Sequence, residues 1–216
     1  TVLTIGANSP LCSGQTLSLT STSTVGATFN WTGPNSFSST LQNPTIVGAS
    51  TLATGVYSVN ASMAGCASAT GTINVVVKQT PTGRTGVANS PLCSGQTLSL
   101  TATSTVGATF NWTGPNSFTS TTQNPTLIGT TTLASGIYSV TSSIGGCTSA
   151  TGTVNVVVNE TPTVMTVGAN SPLCSGQTLS LTATSTVGAT YNWTGPNSFT
   201  STTQNPTIPG ATTLAT

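Results

Sequence analysis

The sequence repeats itself every 81 residues, almost letter for letter. Cys12, Cys93 and Cys174 keep that interval, and so do Cys66 and Cys147. The run Pro-Leu-Cys-Ser-Gly-Gln-Thr-Leu-Ser-Leu-Thr starts at Pro10, Pro91 and Pro172, and Asn-Trp-Thr-Gly-Pro-Asn-Ser-Phe starts at Asn30, Asn111 and Asn192. A fixed period of this length means a row of similar folded units. Near-identical neighbours argue for the row itself as the purpose, since three different activities would need three different sites.

Composition removes most chemistry. Of 216 residues, 1% are charged: Lys78, Arg84 and Glu160, all near repeat boundaries, with no His and no Asp. General acid–base catalysis needs a group that titrates near the working pH, and a serine nucleophile needs a base beside it. The expectation is that the chain is not an enzyme and uses no cofactor. Calcium needs several oxygen ligands, usually carboxylates. Zinc would have to rely on cysteines, and no Cys-x-x-Cys pair occurs. Two basic residues cannot neutralise a phosphate backbone, which excludes nucleic acid. No apolar run reaches bilayer length, so no membrane insertion is expected. Thr1 begins inside a repeat with no initiator Met or signal peptide, as expected of a mature or excerpted segment.

The remaining residues read as strands. Thr, Ser, Val and Gly dominate, and helix formers are scarce. Apolar residues alternate: Leu17 with Leu19, Phe29 with Trp31, Tyr57 with Val59, and Ile73 with Val75 and Val77. Period two marks half-buried antiparallel strands. Turn residues separate them at Ser13-Gly14, Gly33-Pro34-Asn35, Asn43-Pro44 and Ala64-Gly65. The expected strands cover Val2–Ile5, Gln15–Ser21, Thr28–Thr32, Phe37–Leu41, Thr45–Val47, Gly55–Ala61 and Thr70–Val77, with another near Thr51. About seven short strands in about 80 residues describe an all-β, immunoglobulin-like antiparallel sandwich. Trp31, Tyr57, Trp112, Tyr138 and Trp193 are its expected core. Phe37, Phe118 and Phe199 each follow a turn and are the aromatics expected at the surface. The units run 1–81, 82–162 and 163–216. The third stops at the position equivalent to Thr54, before its last two strands.

Taken together, Ser-Pro-Leu-Cys-Ser-Gly-Gln-Thr-Leu-Ser-Leu, Asn-Trp-Thr-Gly-Pro-Asn-Ser-Phe, Gln-Asn-Pro-Thr-Ile, Gly-Val-Tyr-Ser-Val and Gly65-Cys66 resemble a known family. It is the Ig-like/PKD-like repeats of large secreted surface proteins of Bacteroidetes bacteria. The resemblance covers essentially the whole chain. It implies an exported, very long protein, often an adhesin or filament on the cell surface, with no catalytic residues to carry over.

Five regularly spaced cysteines in an exported protein imply disulfides. Two pairings stand open. Within units, Cys12 would join Cys66 and Cys93 would join Cys147, with Cys174 paired outside the sequence. Between units, Cys12 would join Cys147, Cys93 the next counterpart of Cys66, and Cys66 a preceding unit or another molecule. On the immunoglobulin pattern, Ser21 and Val59 hold the usual disulfide positions. Cys12 precedes the second strand and Cys66 follows the sixth, and these two strands run in the same direction. That separates Cys12 and Cys66 by roughly 30 Å, at about 3.3 Å per residue, far beyond the reach of a bridge. A head-to-tail row instead brings Cys12 near Cys147.

Little repulsion keeps copies apart at a net charge of +1. The leading expectation is self-association, sideways or end to end, as a homopolymer that forms an extracellular cell-surface filament. The alternative is a spacer or contact repeat of an adhesin that grips glycans or surfaces through Asn35, Ser36 and Phe37, repeated at Asn116 and Asn197. A remote one is ice or crystal-surface binding by Thr101, Thr103, Thr105, Thr182, Thr184 and Thr186, which needs flat threonine ranks that twisted sheets rarely offer.

Overall fold

The computed structural model describes residues 3–82, 84–163 and 165–212; Val2, the expected start of the first strand, lies outside them. Apart from short 3₁₀ turns, the described elements are strands. The first sandwich contains β1 (Thr4–Ala7), β2 (Leu11–Cys12), β3 (Leu17–Thr22), β4 (Thr28–Gly33) and β5 (Phe37–Ser39). It continues with β6 (Thr45–Ile46), β7 (Gly55–Met63), β8 (Cys66–Ala67), β9 (Gly71–Val75) and β10 (Val77–Lys78). One sheet runs β1-β3-β6 and the other β5-β4-β7, with β8 and β9 both paired to β7. These ladders are antiparallel. β2 pairs β10 in parallel, Leu11 against Val77 and Cys12 against Lys78.

Alternation decides which side chains meet. Leu17, Leu19 and Ser21 of β3 turn inward, as do Phe29 and Trp31 of β4 and Tyr57, Val59 and Ala61 of β7. Trp31, Tyr57, Leu17, Leu19 and Val75 are fully enclosed. Each such side chain contributes about 1.5–3 kcal/mol by leaving water. Ser21 and Val59, at the usual disulfide positions, are buried without a bridge. The Ser21 hydroxyl donates to the Gln42 carbonyl at 2.7 Å, and its N–H donates to Asn43 Oδ1 at 2.9 Å.

The strand expected near Thr51 is instead a 3₁₀ turn, Thr51–Ala53. The reason lies in Tyr57: its hydroxyl, at the foot of β7, donates back to the Ala53 carbonyl at 3.0 Å. That contact requires a tight corner rather than an extended chain. The Tyr57 ring also lies across Gly33, where a Cβ would fall inside the ring's van der Waals surface.

The second sandwich repeats the order: β11 (Arg84–Ala88), β12 (Leu92–Cys93), β13 (Leu98–Thr103), β14 (Thr109–Gly114), β15 (Phe118–Ser120), β16 (Thr126–Leu127), β17 (Gly136–Ile144), β18 (Cys147–Thr148), β19 (Gly152–Val156) and β20 (Val158–Asn159). Trp112 and Tyr138 fill its centre. The third group has β21 (Thr166–Ala169), β22 (Leu179–Thr184), β23 (Trp193–Gly195), β24 (Phe199–Ser201) and β25 (Thr207–Ile208). Trp193, expected in the core, is only half-buried there. Its equivalents Trp31 and Trp112 are flanked in their sheets by β7 and β17, which have no counterpart among the described residues of this group.

Two predictions follow from the Tyr57 corner. Gly33→Ala pushes a methyl into the ring and should destabilise by about 1–3 kcal/mol, measured by urea unfolding followed through tryptophan fluorescence. Burial raises the Tyr57 and Tyr138 phenols above their ordinary value of 10.0. A raised folded-state pKa leaves their contribution intact below the unfolded value. It is lost as pH rises through the folded one. Stability should therefore fall above pH 10 more steeply than in Tyr57→Phe, and equal slopes would contradict this.

Candidate functional site

The residues with distinctive chemistry gather where the first sandwich meets the second. Cys12 is held at the exit end of the first. Its N–H donates to Gln15 Oε1 at 2.8 Å, which closes the Cys-Ser-Gly-Gln turn. On either side, the Leu11 N–H donates to the Val76 carbonyl at 3.1 Å and the Ser13 N–H to the Lys78 carbonyl at 2.7 Å. Ser13 also grips the outgoing chain: the Thr80 N–H donates to its Oγ at 2.9 Å, and the Thr80 hydroxyl donates to its carbonyl at 2.7 Å.

Cys147 reaches this place from the other side. It follows the two-residue turn of the β17–β18 hairpin, where Ile144 faces Cys147. The turn residues Gly145 and Gly146 sit at φ +58° and +87°, which glycine adopts without strain. The hairpin lies at the entry end of the second sandwich. There the incoming Thr82 N–H donates to Thr105 Oγ1 at 3.1 Å, and Ser143 pairs Thr109 at the start of β14.

Cys12 and Cys147 form a disulfide, with Cα atoms 5.6 Å apart and sulfurs 2.04 Å apart. Beside it, the Lys78 ammonium donates to the Gly145 carbonyl at 2.8 Å. Cys147 is buried at 1% exposure. Cys66 occupies the same hairpin position in the first sandwich, at the opposite end from Cys12, and is exposed and unpaired. Cys93 and Cys174 occupy the Cys12 position of the second and third groups and are likewise exposed and unpaired. The within-unit pairs Cys12–Cys66 and Cys93–Cys147 are not formed. The chemistry this junction carries is that of thiol–disulfide exchange. Among the described residues no cluster of three His, Cys, Asp or Glu could hold a metal.

The structure places the sequence-derived surface aromatics differently. Phe37 and Phe118 are half-buried, each edge-on to a core tyrosine, with ring centroids 5.4 Å from Tyr57 and 5.3 Å from Tyr138. Phe199 is also half-buried. The alternation of β5 turns Phe37 inward, and only its rim faces out. That rim joins Pro34, Asn35, Ile46, Ser50 and Tyr57 around a cavity of about 270 Å³, and the second sandwich has an equivalent of about 240 Å³. Asn35 and Ser36 both take positive φ, the geometry of a tight hairpin turn.

Sequence reasoning did not single out Ser13, Thr80 or Gly145 as parts of this junction. The available signal was Lys78, a rare charge where the equivalent position of the next repeat is Asn159.

Trypsin tests the bond directly, because its only cleavage sites, Lys78 and Arg84, lie between the two bonded cysteines. With thiols blocked and no reductant, fragments 1–78 and 85–216 should migrate as one species and separate on reduction. Separation before reduction contradicts the bond. Cys12→Ser should lower the unfolding free energy by up to about 5 kcal/mol on the chain-entropy model for a loop this long, read from urea unfolding midpoints.

No protein-family model matches the chain, and no curated protein sequence matches it. Among solved structures the chain is similar to murine CEACAM1b, at 15% identity over 73% of this chain and 100% of that one, with a TM-score of 0.43. It is similar to a marsupial T cell receptor at 11% identity over 88% and 83%, with a TM-score of 0.48. It is also similar to the three N-terminal domains of the bacteriophage RB49 outer capsid protein Hoc, at 15% identity over 95% and 80%, with a TM-score of 0.35. At these identities the likeness is one of fold alone, and the chain's own sheet pairing makes it an immunoglobulin-like antiparallel sandwich.

Proposed function

We propose that the chain is a segment of an extracellular structural filament, a row of immunoglobulin-like sandwiches fastened end to end. The observation that supports this reading is the Cys12–Cys147 bond, which ties one sandwich to the next rather than closing either on itself. Cys93 and Cys174 then serve as further donors of the Cys12 kind, and Cys66 as a further acceptor of the Cys147 kind, for neighbouring units or molecules. Disulfides persist in oxidising compartments, which supports a place outside the cell. Among the described residues no helix is long and apolar enough to cross a membrane. The resemblance of the repeats to those of large secreted surface proteins of Bacteroidetes agrees with that place.

The edges favour growth along the axis. The edge strands β1, β5, β6 and β9 are four, three, two and five residues long. Short edge strands offer little to pair with, which blunts lateral sheet-to-sheet addition even without charged guards. End-to-end contact that never closes on itself gives a fibre.

The repeated aromatic cavity supports a second reading, contact with uncharged glycans, because it recurs in two sandwiches with Pro, Asn, Phe and Tyr at equivalent positions. Multivalency would then supply avidity.

Electron microscopy of unreduced native material tests the first reading. Straight filaments with a repeat of one sandwich, or a simple multiple of it, are expected. Dispersed flexible chains that a glycan array retains would sink the filament and favour the second reading.

A further inference from the structure

The disulfide changes the route by which the chain carries tension. In a molecule pulled from its two ends, force follows the shortest covalent path. A segment between two bonded cysteines stays slack while the bond holds. Cys12 and Cys147 are 135 residues apart in sequence. A path from Thr1 to Thr216 leaves the backbone at Cys12, crosses two sulfurs and rejoins at Cys147. The 134 residues between the two cysteines are bypassed, which leaves 82 of 216 in the path.

The fold makes that path a line along the row. β1 and β2 run from the entry end of the first sandwich to its exit, where Cys12 lies beside Lys78. Cys147 lies at the entry end of the second sandwich, and β19 and β20 lead away from it toward the second exit, where Asn159 pairs Cys93. Every strand from β3 to β17 lies between the two cysteines in sequence. The strands in the path are still clamped, β1 by β3, β2 by β10, β19 by β17 and β20 by β12. Because they are pulled along their own direction, each ladder must yield as a whole rather than one bond at a time.

We infer that the Cys12–Cys147 bond makes the two sandwiches a tether that passes tension along one flank of each, so that β3–β17 stay folded beside the loaded line. Its role in a filament rests on the structural reading proposed above. The bypass itself belongs to a single chain and is measured on one, so absent filaments and a wrong single-chain length are separate results.

The test is single-molecule pulling of the full chain between handles at its two ends. Unreduced, its fully extended length should correspond to 82 residues. Reduction with dithiothreitol should release 134 more, a gain of about 2.6-fold, or roughly 440–480 Å at the reach of an extended chain. Cys12→Ser should show the long form without reductant, and Cys66→Ser should keep the short one. Within-unit bridges would hide 53 residues in each of two units and leave 110. That length, or equal lengths before and after reduction, overturns the inference.

Discussion

Side chains bonded to main chain hold together what mostly short strands alone cannot. Asn8 is the clearest case: its Oδ1 accepts from the Ser18 N–H at 2.8 Å while its amide donates to the Thr16 carbonyl at 2.9 Å, fixing the crossing between β1 and β3. Gln42 donates to the Ser21 carbonyl at 2.9 Å, and Asn43 accepts from the Ser21 N–H. The same bonds return at Asn89, Gln123 and Asn124. In a chain with three charges, uncharged amides and hydroxyls do the positioning that ion pairs do elsewhere. A backbone group left unpaired in a half-buried loop would cost free energy comparable to a lost hydrogen bond. These side chains supply the partners, and Trp31 and Tyr57 then pack against a fixed frame.

Much of this was legible in the sequence. Alternation exposed the inward faces of β3, β4 and β7, because a pleat has a period of two whatever its surroundings. The immunoglobulin pattern placed Cys12 and Cys66 at opposite ends from strand direction alone. The corner at Thr51 was not legible, since three residues carry no period. Nor was the parallel pairing of β2 with β10, which joins residues 66 apart through one short contact at each strand. The inward turn of Phe37 depends on the hairpin's register, and that register follows from Asn35 and Ser36 both adopting positive φ.

The junction combines a covalent bond with weak neighbours. Lys78 donates to a carbonyl and not to a carboxylate, at an exposed position. It contributes direction more than energy, in keeping with the modest worth of solvent-exposed charges. Ser13 and Thr80 fix the outgoing chain against the Cys12 turn, and Ser94 and Thr161 repeat that grip in the next sandwich. The same grip at both exits gives each sandwich the same departure geometry, whether or not its cysteine is bonded.

A bond that spans 135 residues also imposes an order of events on a chain made from its first residue onward. Cys66 and Cys93 both emerge before Cys147, so Cys12 meets two wrong partners first. What withholds them is place: folding sets Cys66 at the far end of its own sandwich, and Cys93 emerges from the ribosome at the wrong end of the next. The right partner arrives only when the β17–β18 hairpin has formed on a finished neighbour. Native placement of the cysteines therefore selects Cys147 for Cys12 once two successive sandwiches have formed, a choice of partner written into spacing alone.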